Sequence, residues 1–214
     1  MKTLFLDILK HRPYSEEGQF LQNKIITRRY PKNQVLFYQW EDAQWIYMPV
    51  DGLVVLNRYE DNGDLLYHGL VLPDTFFPLT NVFGQEQYEY EAMTLTEVET
   101  WQMKKEDFIL FLERFPQYYP QLCQDLVKIN SRLEERLHFL MVASAKERIE
   151  NIVLNLIEDY GVQQGDWNVL PWPITVTEIA QISGTTRETA SLAMNQLRRN
   201  GSIRYEHKQL SLPI

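Results

Sequence analysis

Three features of the sequence predict an α+β protein with a β-rich first half and a helical second half. Short runs of branched and aromatic residues recur at roughly ten-residue spacing up to about Lys104, as in a sandwich or barrel. An apolar stripe then follows helical spacing through the middle of the chain. Near the C-terminus, two short capped helices precede a hairpin.

The β-like runs lie at residues 35–38, 45–48, 53–56, 65–68 and 98–101. Branched and aromatic side chains suit a pleated, half-buried surface. Asn62-Gly63, between the third and fourth runs, favours the positive φ angles of a tight hairpin turn. The aromatic set Trp40, Trp45, Tyr47, Phe76, Phe77 and Phe83 fits either ordinary β core or the lining of an apolar pocket.

The period changes at Lys105. Glu106 and Asp107 open a short helix that ends before Pro116, and a longer helix begins near Pro120. There Leu122, Leu126, Ile129, Leu133, Leu137 and Leu140 recur at steps of 4, 3, 4, 4 and 3, one stripe down a helix. Such a stripe, flanked by both signs of charge, fits the seam of a two-stranded coiled coil or a helix lying on its own domain. The first reading makes the six residues a dimer interface. A third helix, from Lys146 to Tyr160, buries Ile149, Ile152, Val153, Leu156 and Ile157, with Gly161 as its cap. Residues 162–173 read as a loop with one strand.

Thr175 and Glu178 fit a capping box, so a helix begins there, and Gly184 ends it in a sharp turn. Thr185 with Glu188 fits a second capping box, opening a helix that closes near Asn200-Gly201. Two short helices joined by a tight glycine turn form a helix-turn-helix. Residues 203–205 and 209–212 add a hairpin wing with Glu206, His207 and Lys208 at its tip. The second helix opens with Thr185, Thr186, Arg187, Glu188 and Ser191. Hydroxyls and free N–H groups at a helix start can hold a DNA phosphate. Arg187 can pair with guanine O6 and N7, and Glu188 can accept from cytosine N4.

On these residues the chain resembles the Crp/Fnr family of bacterial transcription regulators. The resemblance is most specific at Thr186-Arg187-Glu188-Thr189 and at the 178–184 spacing before it, with weaker support from residues 50–54. It implies a β-roll sensor over 1–115, similar to a cyclic-nucleotide-binding jelly roll. A dimerisation helix over 116–145 and a winged helix-turn-helix over 146–214 follow. It further implies a homodimer on a near-palindromic operator in double-stranded DNA, with RNA polymerase as a partner. Thr175, Thr185, Thr186, Arg187, Glu188, Ser191, Leu192, Arg198 and Lys208 are the expected DNA-binding residues. Leu192 stands where many relatives have an arginine; it cannot contact guanine but can touch a thymine methyl. The alignment puts Pro78-Leu79 and Glu86-Gln87 where nucleotide-binding relatives hold ribose and cyclic phosphate, and residues 75–93 contain no Lys or Arg. A carboxylate facing a phosphate is repulsive, so cyclic AMP is not expected as effector, and a regulator without any effector is a real option.

Composition bounds the alternatives. The net charge is −8, but residues 174–214 hold five basic against three acidic side chains, an asymmetry compatible with a nucleic-acid-binding tail. No apolar run approaches the ~20 residues of a membrane span. Asp7 interrupts the N-terminal apolar stretch too early for a secretory core, so the expected location is the cytoplasm. A single cysteine, Cys123, excludes an internal disulfide and a cysteine-ligated cluster, and it reads as packing rather than a redox switch. Haem would have only His68 and Cys123 as donors near the β domain. A β-barrel metalloenzyme needs clustered ligands, whereas His11, His68, His138 and His207 are scattered. No cofactor, metal or catalytic residue is expected. The remaining rival is a helix-turn-helix used for protein contacts, against which Arg187, Arg198 and Arg199 argue.

Overall fold

The computed structural model describes residues 4–61, 63, 65–142 and 144–214. Two compact units, Met1–Lys128 and Ile129–Ile214, divide inside one long helix. The first unit opens with α1 (Leu4–His11) and α2 (Glu16–Lys24). Seven strands follow: β1 (Ile26–Tyr30), β2 (Val35–Phe37), β3 (Trp45–Asp51), β4 (Val54–Tyr59), β5 (Leu65–Val71), β6 (Glu91–Thr94) and β7 (Val98–Lys104). Then come α3 (Lys105–Arg114), a turn of 3-10 helix at Pro116–Tyr118, and α4 (Tyr119–Val142). The strands form two antiparallel sheets, ordered β1-β7-β3 and β2-β6-β4-β5.

Strand β3 shows how the unit is layered. Its alternating side chains serve two cores, as period-2 geometry requires. Ile46 and Met48 join Met103 under the helices, in a core with Phe5, Leu21 and Phe111. Tyr47 points the other way, to a core between the sheets shared with Phe37, Val54, Phe77, Ala92 and Val98. The expected hairpin is present: β4 pairs antiparallel with β5 from Val54↔Val71 to Tyr59↔Leu65. Gly63 has φ +85°, while Asn62 lies outside the described residues. Of the aromatic set, Phe76 and Phe77 are core and Phe83 is exposed.

Several expectations need correction. No helix was expected before Lys105, but Leu4–His11 and Glu16–Lys24 are helical. Ser15 caps α2 by accepting from the Gly18 N–H, with Glu16 and Glu17 in its first turn; negative charge at a helix start is favourable. Strands β1 and β6 were not expected either. β1 is an edge strand paired only with β7, and four of its five residues are exposed, so it carries no apolar alternation. Leu122, expected at a dimer seam, is 7 % exposed and belongs to the helix-side core of its own unit. Leu126 and Leu133 are exposed at 42 % and 43 %, and Ile129 is half-buried. The side chains of Leu137, Leu140, His68 and His138 lie outside the described residues.

The second unit contains α5 (Ala145–Tyr160), β8 (Val162–Gln164), β9 (Trp167–Val169), α6 (Val176–Ile182), α7 (Arg187–Arg199), β10 (Arg204–Glu206) and β11 (Gln209–Pro213). Residues 162–169 are thus a hairpin of two strands, not a loop with one, and the sheet runs β10-β11-β9-β8. Gly161 caps α5 with its N–H on the Ile157 carbonyl, at φ −63°. Glycine is needed for room, since a Cβ would sit 2.4 Å from both the Ile157 carbonyl oxygen and Asn168 Oδ1.

Phe111 is fully buried among Phe5, Phe20, Phe115 and Tyr118. Truncating Phe111→Ala should cost about 3–5 kcal/mol in denaturant unfolding. Its exposed neighbour Leu110→Ala should stay within about 0.5 kcal/mol.

Candidate nucleic-acid interface

The geometry starts from two caps. Thr175 Oγ1 accepts from the Glu178 N–H while the Glu178 carboxylate accepts from the Thr175 N–H, so the first capping box is complete. α6 then ends at Ser183, and Gly184 follows at φ +61°, a conformation that costs glycine little. The second cap is shifted from its expected place. Thr186, not Thr185, is the N-cap, accepting from the Thr189 N–H at 3.2 Å. Thr189 replaces a glutamate as the capping partner, its hydroxyl 3.0 Å from that of Thr186. Glu188 is therefore free of capping duty and is exposed.

The turn between the helices is held from three sides. The Thr185 N–H donates to the Ala180 carbonyl at 3.0 Å. The buried Ser183 hydroxyl donates back to Ile179 at 2.7 Å. From α5, Arg148 Nε donates to the Ser183 carbonyl at 3.0 Å, and its guanidinium also reaches the Gly184 carbonyl at 3.3 Å. Sequence reading missed Arg148, because the contact spans 35 residues and follows no local pattern.

Helix α7 is strictly two-faced. Ala190, Ala193, Met194 and Leu197 are buried in the second unit, whose core also holds Ile149, Val153, Ile179, Ile174 and Leu210. Arg187 and Glu188 lead the opposite face and are exposed, and Leu192 one turn on is 73 % exposed. Thr185 and Ser191 are half-buried at its margin. Arg198 projects from the last turn, about 16 Å along the axis from Arg187 at 1.5 Å per residue. Lys208 is exposed at the tip of the β10–β11 hairpin, whose two turn residues, His207 and Lys208, have φ +51° and +67°. Such mirror-image turns match the twist of paired strands. Thr175 is half-buried and occupied with its cap.

The wing is tied to the start of α6. The Tyr205 hydroxyl donates to the Ile174 carbonyl at 2.8 Å, and burial pushes its phenol pKa up. Arg204 pairs with Glu206 at 3.0 Å and holds that carboxyl below its usual range.

Comparison with known proteins identifies the class. Residues 27–115 match the cyclic nucleotide-binding domain family and residues 147–213 the Crp-like helix-turn-helix domain family. This chain belongs to the Crp/Fnr family. It is 22% identical over 199 residues to the HTH-type transcriptional regulator ArcR of Staphylococcus aureus, covering 92% of this chain and 83% of ArcR. The solved structure of FixK2 from Bradyrhizobium japonicum superposes with a TM-score of 0.77 at 19% identity, covering 88% of this chain and 92% of that one. TTHA1359, a CRP/FNR-family transcriptional regulator of Thermus thermophilus, gives 0.69 at 25% identity over 88% and 94%. The protein is a Crp/Fnr-type transcription regulator with a DNA-binding helix-turn-helix. No helix among the described residues is long and apolar enough to cross a membrane.

In this Crp/Fnr regulator the segment aligned with the nucleotide site is hydrogen-bonded to itself and to the 41–43 turn. Pro78 is buried, while Glu86 and Gln87 are exposed. Asn81, 1 % exposed, donates from Nδ2 to the carbonyls of Gln85 and Gln87 at 2.9 and 2.8 Å. The Ala43 N–H donates to the Glu86 carbonyl and the Tyr88 N–H to the Glu41 carbonyl.

The shifted cap gives a direct test. Thr186→Ala should cost about 1 kcal/mol of stability in urea unfolding, while Thr185→Ala should change it by less than half of that.

Proposed function

We propose that the protein works as a homodimer on a near-palindromic operator, with α7 of each copy in a major groove. The two-faced character of α7 carries this reading: everything apolar but Leu192 is turned inward, and Arg187 and Glu188 lead the outward face. Arg187 reads a guanine through O6 and N7, and Glu188 accepts from a cytosine amine. Leu192 meets a thymine methyl. Thr185, Thr186 and Ser191 meet the backbone at the helix start, where free N–H groups favour phosphate. Arg198 and Lys208 add phosphate contacts on either side. Leu126, Ile129 and Leu133, continued by Leu137 and Leu140, form the seam between copies, without Leu122. A dimer axis along this seam sets two half-sites about one helical turn apart. With its partner the bacterial chromosome, the protein acts in the cytoplasm.

The effector is not cyclic AMP. Residues 75–93 offer no Lys or Arg to a cyclic phosphate, and Asn81 closes the segment on itself.

Binding sites selected from a random DNA library should be near-palindromes, with affinity falling steeply as salt rises. On such a site Arg187→Ala should lose about 1–3 kcal/mol of discrimination at one guanine per half-site. Equal loss on random DNA would reduce Arg187 to a backbone contact. Leu126→Glu with Leu133→Glu should yield monomers in sedimentation, and dimers that persist would remove the seam. Cyclic AMP at about millimolar concentration should leave the melting temperature unchanged, since binding to the folded state alone would raise it.

A further inference from the structure

The first unit contains a cavity of about 750 Å³ at one end of the β-roll, bounded by β1, β2, β3, β7 and the 40–44 turn. No residue of the 78–87 segment lines it, although the 40–44 turn is hydrogen-bonded to that segment, and its size suits a small organic ligand. It opens to solvent, with Arg28, Trp40, Glu41, Asp42 and Gln44 of its lining exposed. On β1, Arg28 and Tyr30 share the face turned into it, while Arg29 between them pairs outward with Glu99 at 2.7 Å. The next strand adds Gln102, which stands opposite Tyr47 of β3. Gln102 is only 4 % exposed. Its Oε1 accepts from the Tyr30 hydroxyl at 3.4 Å, and no described residue accepts from its Nε2. That donor is reached by solvent from the cavity and not sealed in the core, so it is open to a ligand.

Aromatic faces make up most of the remaining wall: Trp40, Trp45 and Tyr47, with the stacked pair Phe37–Tyr88 at 3.7 Å between centroids. Burial pushes the Tyr47 phenol pKa up. Trp40 is held at φ +72°, a strained backbone for a bulky side chain, and is 56 % exposed at the mouth. Charges of both signs line the same space. Glu41 and Asp42 stand on the 40–44 turn and Arg28 on β1. Among the described residues none of the three forms an ion pair, with each other or with a neighbour. Aromatic faces beside carboxylates attract an ammonium, and an unpaired guanidinium attracts a carboxylate.

We propose that this cavity is a binding site for a small zwitterion with an apolar body, a free α-amino acid bearing a large side chain. The ammonium lies against Glu41, Asp42 and the indole faces. The carboxylate meets Arg28, the Gln102 amide donates to the ligand, and the side chain fills the aromatic wall. The inference concerns the first unit alone and does not depend on how the protein reads DNA.

The test is calorimetric titration of the full chain with L-phenylalanine, L-leucine and L-methionine. Each is compared with its one-charge analogues, for phenylalanine phenethylamine and 3-phenylpropionate. At least one amino acid should bind, and removing either charge should weaken it roughly tenfold or more. Glu41→Gln, Arg28→Gln and Trp40→Ala should each weaken the same ligand comparably, with near-ultraviolet circular dichroism unchanged; Phe83→Ala, exposed and outside the cavity, should not. Failure of all three amino acids at about 10 mM, where even millimolar affinity would register, overturns the proposal. So does an analogue that binds as well as its parent, which would make the cavity a site for amines, for acids or for apolar bodies only. Binding unaffected by the three cavity variants would place the ligand elsewhere and equally overturn it.

Discussion

The DNA-binding unit rests on a turn of only a few residues. Between α6 and α7 the backbone reverses through Ser183 and Gly184, and the orientation of the recognition helix follows from that reversal. A residue with a Cβ at Gly184 would oppose its positive φ. The Ser183 hydroxyl adds a second donor to the Ile179 and Ala180 carbonyls, which also accept from the Ser183 and Thr185 N–H groups, and Arg148 of α5 takes the Ser183 and Gly184 carbonyls themselves. A charged donor shared by two adjacent carbonyls is a strong fixed link, and it ties α5 to the turn. Small side chains complete the arrangement. Ala180, Ala190 and Ala193 let the helices approach closely, so Met194 and Leu197 fill the space that remains. The exposed face of α7 is left with no packing duty, which frees it to be read by a partner.

The β-roll obeys a different constraint. Its two sheets and its covering helices must share the side chains of β3 and β7, so each residue step there switches between two cores. Most of the inward positions are apolar, but Thr100 and Gln102 are both buried and polar on one face of β7. A fold that accepts buried polar groups must supply partners for them. Thr100 finds one in the Arg28 carbonyl at 3.5 Å, and the Gln102 side-chain carbonyl finds one in the Tyr30 hydroxyl while its amide nitrogen opens to the cavity. That opening, beside aromatic rings and unpaired charges, distinguishes one end of the roll from ordinary core.

What the sequence made legible was what local period and capping chemistry control. The winged helix-turn-helix could be read because Thr175, Glu178 and Gly184 each act within four residues of the feature they create. Where two local solutions were equally available, reading along the chain chose the wrong one. Thr185 and Thr186 are adjacent hydroxyls, each with a polar side chain three residues on; Thr186 wins because Arg187 then becomes the first helical residue. The apolar stripe of α4 was visible, yet period alone does not say that its first leucine is claimed by the Phe111 and Tyr118 cluster. β1 escaped notice because an edge strand with two arginines has no buried face to write into its sequence, and the short N-terminal helices draw their stability from packing rather than propensity. Arg148 acts across 35 residues and had no signal to find, while of the cavity only Trp40, Trp45 and Tyr47 stood out along the chain.

Chemical interference on a selected operator tests the central claim most directly. If two copies of α7 read base edges, hydroxyl-radical cleavage will reveal two protected blocks whose centres lie about 10 base pairs apart. Methylation of guanine N7 at a symmetric position in each block will abolish binding. A single uninterrupted block, or binding that tolerates N7 methylation everywhere, would contradict it.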